Sequence, residues 1–461
     1  MSNQSINQSH SNEENLQRGL KNRHIQLIAI GGAIGTGLFF GAGKSIQLAG
    51  PSLMLTYLIV GVALFFVMRA LGELILYKPT SGSFSDYAEE LIGPWAGFIT
   101  GWTYWFTWIA TGIAEITAVG IYVKYWFPDV PQWIPALACV IVLFLINIAT
   151  VKAFGEMEFW FAMIKIIAIL ALIVLGLVII FTGFGNHGHP TGFSNLYKHN
   201  GFFPHGISGF LLAFQMAVFS FVGVELVGVT AGEAENPNKT IPKAVNNILI
   251  RILIFYIGAL LIIMSIFPWD KVSPDSSPFV TVFSQIGIPA AAGIINFVVL
   301  TSAASSCNSG LFSTSRMLYS LAQNGQAPKT LSKLSERKVP AFALIVSTLA
   351  LLIGVLLNYL LPDMVFTIVT SVATICFIWA WSIILISHML FRRKMPEEAR
   401  KIHFRMPLTP VMNWVVLGFF VAVIIILGFD FVTRISLFVT PVWFAILIIA
   451  YFMMKHKKRA S

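Results

Sequence analysis

Apolar runs of about 20 residues recur from residue 24 to residue 454, and each is long enough to cross a bilayer as a helix. Inside hydrocarbon a helix satisfies its backbone N–H and C=O groups internally, so runs of this kind leave little freedom in the choice of fold. Only 11% of the 461 residues are charged and mean hydropathy is +0.80, whereas a soluble chain of this size carries roughly 25% charged residues. The expected class is an all-α polytopic membrane protein. Residues 1–23 are polar and lack the apolar core of a cleavable signal peptide, so the first span is expected to act as an uncleaved insertion signal.

Twelve spans are predicted, at 24–44, 53–76, 95–126, 133–151, 157–183, 208–231, 246–268, 286–319, 340–360, 364–390, 410–430 and 436–454. An even number places both termini on one side. With the N-terminus inside, 23 Lys and Arg residues fall in cytoplasmic segments. Five (Lys44, Lys124, Lys198, Lys271 and Arg434) fall outside, and Arg69 and Lys165 lie within spans. That asymmetry predicts cytoplasmic N- and C-termini. It also explains the net charge of +10 by loop orientation, without a nucleic-acid partner. Cys139, Cys307 and Cys376 all fall in apolar runs, with neither metal-ligand spacing nor an evident pairing.

The first span contains Ile30-Gly31-Gly32-Ala33-Ile34-Gly35-Thr36-Gly37. Four glycines in eight residues weaken a helix, by up to about 1 kcal/mol each relative to alanine. A broken helix strands backbone polar groups, which lipid tolerates only where protein, water or a ligand satisfies them. The sixth span carries Phe219-Ser220-Phe221-Val222-Gly223-Val224-Glu225, a second interruption near mid-membrane. Paired interruptions at matching positions of two halves point to a transporter's central site, although glycines also serve helix packing. The expected organisation is a cytoplasmic tail (1–23), a first five-helix repeat (24–183), a second, inverted five-helix repeat (208–390), two further helices (410–454) and a cytoplasmic tail (455–461).

At these residues the chain resembles the amino acid–polyamine–organocation (APC) superfamily, and within it the bacterial amino-acid permeases. The resemblance rests on the run from Arg23 to Phe39 and on Phe219 to Glu225 with Gly232-Glu233-Ala234-Glu235-Asn236-Pro237 and Ile241-Pro242-Lys243-Ala244. It rests also on Thr301 to Ser306 with Ser313 to Leu318. It covers the chain from about residue 16 onward. Phe154 to Lys165 and Asn296 to Ser306 are most similar to D-serine/D-alanine/glycine transporters, with Cys307 departing where a small residue such as alanine is expected. The resemblance implies the LeuT-type fold of five plus five inverted helices with helices 1 and 6 broken. It implies secondary import of a small neutral amino acid (D-alanine, D-serine, glycine or L-alanine) across a bacterial inner membrane. A permease for other L-amino acids, or an exchanger, is the alternative.

An amino acid brings a carboxylate and an ammonium, and both need partners at mid-membrane. The outer half of span 1 is expected to begin near Gly35, Thr36 and Gly37, offering N–H groups and a positive dipole end to the carboxylate. The Thr36 hydroxyl adds a donor. Carbonyls near Ile30, Gly31 and Gly32, with those around Phe219, Ser220 and Val222 beside Gly223, are expected to take the ammonium. Gly31, Gly32 and Ala33 on one wall and Phe219 and Phe221 on the other suggest a small pocket.

Lys165 lies about 12 Å into span 5, at 1.5 Å per residue, deeper than a lysine snorkels; its alternatives are a static pairing or a proton-coupling amine. In the resembled fold a lysine here replaces a sodium ion, with its amine expected near the Gly31 carbonyl and Ser302 or Ser305. Glu225 and Glu115 are further candidates for carrying a proton, each with a structural alternative as a hydrogen-bonded brace. Arg69 and Glu73, one turn apart, are expected to form an ion pair at the inner end of span 2. Glu156 and Glu158 are expected to precede span 5 and face water. Trp102, Tyr104, Trp105 and Trp108 are expected to pack or anchor. His187, His189, His199 and His205 share an outer loop without a carboxylate or cysteine, so no metal site is read there. With no nucleophile motif, metal cluster or phosphate loop in the sequence, an enzyme is not expected. No cofactor is expected beyond the coupling proton, and the expected partners are the amino acid and the lipid bilayer. A channel would need a continuous polar pore, and the spans carry only a few lone ionisable residues.

Overall fold

The computed structural model describes residues 34–80, 82–149, 151–184, 188–230, 236–274, 276–285 and 289–460. The described residues are helical, with no strand among them. Nine helical stretches among them are long and apolar enough to cross a bilayer, and two shorter apolar helices, Trp133–Asn147 and Gly206–Phe219, accompany these. The predicted segment 24–44 is described only from Ile34 onward, so Ile30, Gly31, Gly32 and Ala33 lie outside the described residues.

The chain enters as two short helical pieces, α1 (Thr36–Phe39) and α2 (Gly41–Ala49), followed by α3 (Leu53–Tyr77). Gly50, at φ 57°, makes the turn between α2 and α3. The segment Phe84–Leu91 was not anticipated as an element. It is an amphipathic helix that buries Phe84, Tyr87, Ala88 and Leu91 at a spacing of three and four, the stripe a surface helix needs. It leads through Gly93 into α4 (Pro94–Val123), whose first residue is a proline already shaped for that position.

Then come α5 (Val151–Thr182), α6 (Phe214–Phe219), α7 (Leu226–Thr230), α8 (Pro289–Gln323), α9 (Val365–Lys394) and α10 (Val411–Ile426). The two most extensive contacts between elements are those of α4 with α8 and with α9. Small residues permit this: a Cβ added to Gly310 of α8 would stand 2.7 Å from the Trp108 ring of α4. Close approach through glycine and serine is how helices associate where lipid supplies no hydrophobic drive. The last helix, Phe431–Ala460, lies at the periphery, with Phe438, Val442, Ile449 and Met453 exposed.

Two expectations about charge are corrected. Glu156 and Glu158 do not precede the fifth span, because α5 starts at Val151 and includes both. Glu156 is half-buried, and Glu158 is fully buried against α8. Glu73 does not pair with Arg69. Its carboxylate accepts from His388 Nε2 at 3.0 Å, from Arg392 Nε and Nη2 at 2.9 and 3.0 Å, and from the Met406 N–H at 2.9 Å. Arg69 instead donates to Asn246 Oδ1 at 2.8 Å and to the Arg405 carbonyl, and its guanidinium lies 3.8 Å above the Phe404 ring. Local spacing favoured the pair one turn apart, but the segment before α10 brings better partners to both. That segment is thereby fastened to α3 by two independent anchors.

Removing one partner from a buried charged network leaves the others unsatisfied. Glu73→Ala is expected to cost about 2–3 kcal/mol, at the low end of the range for a buried pair because Arg392 keeps some water. The check is the thermal aggregation midpoint of the detergent-solubilised protein, which should fall by several degrees, while Arg69→Ala should cost less.

Candidate functional site

Gly35 is the residue before α1, in an extended conformation at φ −125° and ψ −157°. From there the helix starts: the Phe39 N–H reaches the Gly35 carbonyl at 3.2 Å and the Phe40 N–H the Thr36 carbonyl at 2.8 Å. The first backbone N–H groups of α1 therefore point back toward Gly35 without intrahelical partners. The carboxyl nearest to them is the protein's own. Glu115, on α4, sits beside Thr36 and Ser306, and a Cβ added to Gly35 would stand 2.7 Å from Glu115 Oε1 and 3.1 Å from Ser306 Oγ. Glycine is needed here for space. The Thr36 hydroxyl and Glu115 Oε2 are both buried without a hydrogen-bond partner.

The second interruption lies directly against the first. Helix α6 ends at Phe219, residues 220–225 are non-helical turns, and α7 resumes at Leu226. Gly223 sits at φ 101°, in the region that favours glycine. A Cβ on Gly37 would come within 2.6 Å of Ser220 Cα, so the two broken segments touch backbone to backbone. Two tyrosines hold this junction. Tyr57 of α3 shares a hydrogen bond with Ser220 Oγ at 2.8 Å, and Tyr256 donates to the Ser220 carbonyl at 2.9 Å. Tyr256 belongs to a π-helical turn, Ile252–Gly258, an irregularity often found at functional sites. The Ser220 carbonyl thus already has a donor. The Phe219 carbonyl accepts the Val222 N–H at 3.1 Å.

Glu225 closes the second break. It is fully buried, accepts the Gly223 N–H at 3.2 Å and receives Tyr104 Oη at 3.4 Å, and Tyr104 in turn accepts from Ser313 at 3.1 Å. An aromatic group lies beside the junction. Phe366 of α9 stands edge-on to Phe40 at 4.8 Å and to Phe219 at 6.5 Å, and Phe40 faces Tyr122 at 6.2 Å.

Lys165 is buried to 1% exposure on α5. Two carboxylates act on its charge, Glu158 from its own helix and Glu115 from α4. The serines expected near its amine have other partners: Ser302 donates to the Ile34 carbonyl at 2.9 Å and Ser305 to Glu158 Oε1 at 2.6 Å. Gly31, also expected there, lies outside the described residues, as do Ile30, Gly32 and Ala33. Gly35, Thr36 and Glu115 are thus brought together, and Gly37 meets Ser220. Glu225 stands at the other break.

Sequence reasoning missed Glu158, Ser306, Tyr57, Tyr104 and Tyr256 as parts of this site. Glu158 was detectable, since seven residues before Lys165 is two helical turns on the same face. The tyrosines carry no local signal, because only the tertiary fold brings them to Ser220 and Glu225.

Comparison with known proteins gives a consistent result. The model of the amino acid permease family matches residues 24–461. Amino-acid permease AapA of Bacillus subtilis (strain 168) is 58% identical over 95% of each chain. The uncharacterized transporter YdgF of the same strain is 58% identical over 97% of each. The D-serine/D-alanine/glycine transporter of Escherichia coli (strain K12) is 53% identical, covering 97% of this chain and 96% of that one.

The contact at Gly37 generates a direct test. With Ser220 Cα in the way, Gly37→Ala has to push the two breaks apart, and amino-acid uptake is expected to fall at least about tenfold, the kinetic equivalent of 1.4 kcal/mol. Surface expression, followed by immunoblot, should change much less than uptake. Unchanged uptake would show that the contact is not required.

Proposed function

Because the chain belongs to the amino acid permease family, its activity is transport and not catalysis, and we propose that it imports a small neutral amino acid by proton symport. The observation that carries the proposal is the contact between Gly37 and Ser220, by which two interrupted helices meet in one buried junction. We assign to the chain the twelve-span arrangement, with residues 24–183 and 208–390 as inverted repeats, residues 410–454 as two added helices and both termini (1–23 and 455–461) cytoplasmic. The Lys and Arg asymmetry supports that orientation in the inner membrane of a bacterium.

In this reading the substrate carboxylate takes the N–H groups at Thr36 and Gly37, the first of which Glu115 also approaches, and the buried Thr36 hydroxyl. Glu115 occupies the Gly35 side of the same helix start, so it is a neighbour of the bound carboxylate and a natural place for a proton that neutralises one of the two. The ammonium takes carbonyls at the breaks, among them those of Phe219 and Val222. Ser220 and Gly223 shape that wall, and the ring of Phe219 limits its size. Charge-assisted hydrogen bonds contribute about 1.5–3 kcal/mol each, enough together for micromolar affinity. Residues Ile30, Gly31, Gly32 and Ala33 are assigned to the inner edge of this pocket on the sequence alone.

Lys165 is assigned the coupling role, with Glu115 between it and the substrate. A buried ammonium flanked by two carboxylates is sensitive to the protonation of either, which is what coupling requires. Glu225 braces the second break and is the candidate for sensing its movement. The substrate class is supported by the transporter of Escherichia coli, whose name specifies D-serine, D-alanine and glycine.

Purified protein in proteoliposomes should accumulate labelled glycine and D-alanine under an inward proton gradient without sodium. Lys165→Gln should abolish the effect of the gradient. A requirement for sodium, or proton-driven uptake that survives Lys165→Gln, overturns the coupling assignment, and uptake only against internal amino acid identifies an exchanger. Thr36→Val, which removes one hydroxyl donor, should raise the KM about fivefold, or about 1 kcal/mol. Normal transport with leucine at Gly35 would sink the site assignment.

A further inference from the structure

Glu158 has so far entered only as a charge acting on Lys165, yet it is one of the most enclosed carboxylates among the described residues. It lies seven residues before Lys165 on α5, about 10 Å along the axis and on the same face. Glu158 faces the serine-rich side of α8. Ser305 donates to Glu158 Oε1 at 2.6 Å, and Asn308 and Ser309 lie beside the same carboxylate. Asn308 Oδ1 in turn accepts from Asn147 Nδ2 at 2.6 Å. Three atoms in this cluster are buried without a hydrogen-bond partner: Glu158 Oε2, Asn308 Nδ2 and Ser309 Oγ.

A packed structural brace does not explain that arrangement. Buried polar groups are nearly always satisfied, and each exception invites a functional reason. Here the unsatisfied atoms gather around Glu158, two helical turns before Lys165 on α5. On the proposed orientation α5 begins at the cytoplasmic side, so Glu158 stands about two turns nearer the cytoplasm than the lysine. The geometry points to Glu158 as the cytoplasmic proton acceptor of Lys165, the inner step of a relay whose outer step is Glu115. This inference rests on the proton-coupling role proposed for Lys165.

The step balances simply. The proton on the Lys165 ammonium passes to the Glu158 carboxylate, so one positive and one negative group become a neutral amine and a neutral carboxylic acid. Glu158 then releases that proton to cytoplasmic water past Asn308 and Ser309, and the amine takes its next proton from the Glu115 side. No net charge has to be stored in the low-dielectric interior during the transfer, which would otherwise be costly. Glu158 thus does for the inner side what Glu115 does at the helix break.

The test compares two rates in proteoliposomes: uptake driven by a proton gradient, and exchange of labelled for unlabelled glycine at equal pH. Only the first obliges a proton to leave on the inner side. Glu158→Gln is expected to lower the ratio of driven uptake to exchange at least about tenfold, within the usual worth of a positioned proton-transfer group. Glu158→Asp keeps a carboxylate and should lose distinctly less. The double variant S305A/N308A preserves the charge and removes the onward partners, so it should lower the ratio about threefold even if Glu158→Gln inserts poorly. An unchanged ratio in Glu158→Gln or in the double variant overturns the inference, as does a loss in Glu158→Asp equal to that in Glu158→Gln. The two proposals fail separately: if Lys165→Gln removes proton drive while Glu158→Gln does not, only the role of Glu158 is lost, whereas proton drive that survives Lys165→Gln removes both.

Discussion

Helices that stop inside a bilayer leave backbone groups that only protein or ligand can satisfy, and this chain resolves the problem by setting two such stops against each other. At Gly37 and Ser220 the backbones approach so closely that no Cβ fits between them. The contact then dictates its surroundings. Tyr57 and Tyr256 have to reach Ser220, which explains the position of α3 and the irregular turn at Ile252–Gly258. Glu225 has to stay close enough to cap the Gly223 N–H. Glu115 and Ser306 crowd against Gly35, fixing α4 and α8 at the other side of the first stop. The extensive packing of α4 on α8 follows from the need to surround that point.

The same constraint concentrates ionisable groups where lipid would forbid them. Glu115, Glu158, Lys165 and Glu225 are all at most 1% exposed. Three of them form one electrostatic unit centred on Lys165. Because Glu158 and Glu115 stand on different helices, their joint effect on Lys165 ties α4 and α5 together electrostatically.

Much of this was legible in the sequence, and the reasons for the remainder are physical. The helical class followed from the apolar runs, and the interruptions at Gly35 to Gly37 and near Gly223 followed from glycine, because both are local properties of the backbone. Glu115, Lys165 and Glu225 were visible as charges in apolar surroundings. Glu158 was misread because the start of α5 was drawn six residues late, which left the residue at the outermost edge of the span, where a carboxylate is expected to reach water. The Arg69–Glu73 pair was misjudged for a different reason: spacing along one helix cannot reveal that His388, Arg392 and Met406 arrive from the far end of the chain. The short helix Phe84–Leu91 went unseen because eight residues of moderate amphipathicity carry little signal beside spans of twenty.

The two buried charge clusters also differ in a way that separates structure from function. Around Glu73 the carboxylate receives four hydrogen bonds, His388 is engaged on both ring nitrogens, and Asn413 is held by Thr409. A network so completely bonded has one good arrangement, and changing any protonation state breaks it. Around Lys165 the reverse holds: Glu115 Oε2, Glu158 Oε2, Asn308 Nδ2, Ser309 Oγ and Thr36 Oγ1 are buried and unpartnered. Unsatisfied groups cost stability, so a cluster that retains several of them is poorly designed as a brace. It is well suited to a site whose protonation and occupancy change in every cycle, since each new proton or ligand group finds a partner already buried beside it. The first cluster fastens α3 to α9 and to the segment before α10, a task that a fully bonded network suits and an incomplete one does not.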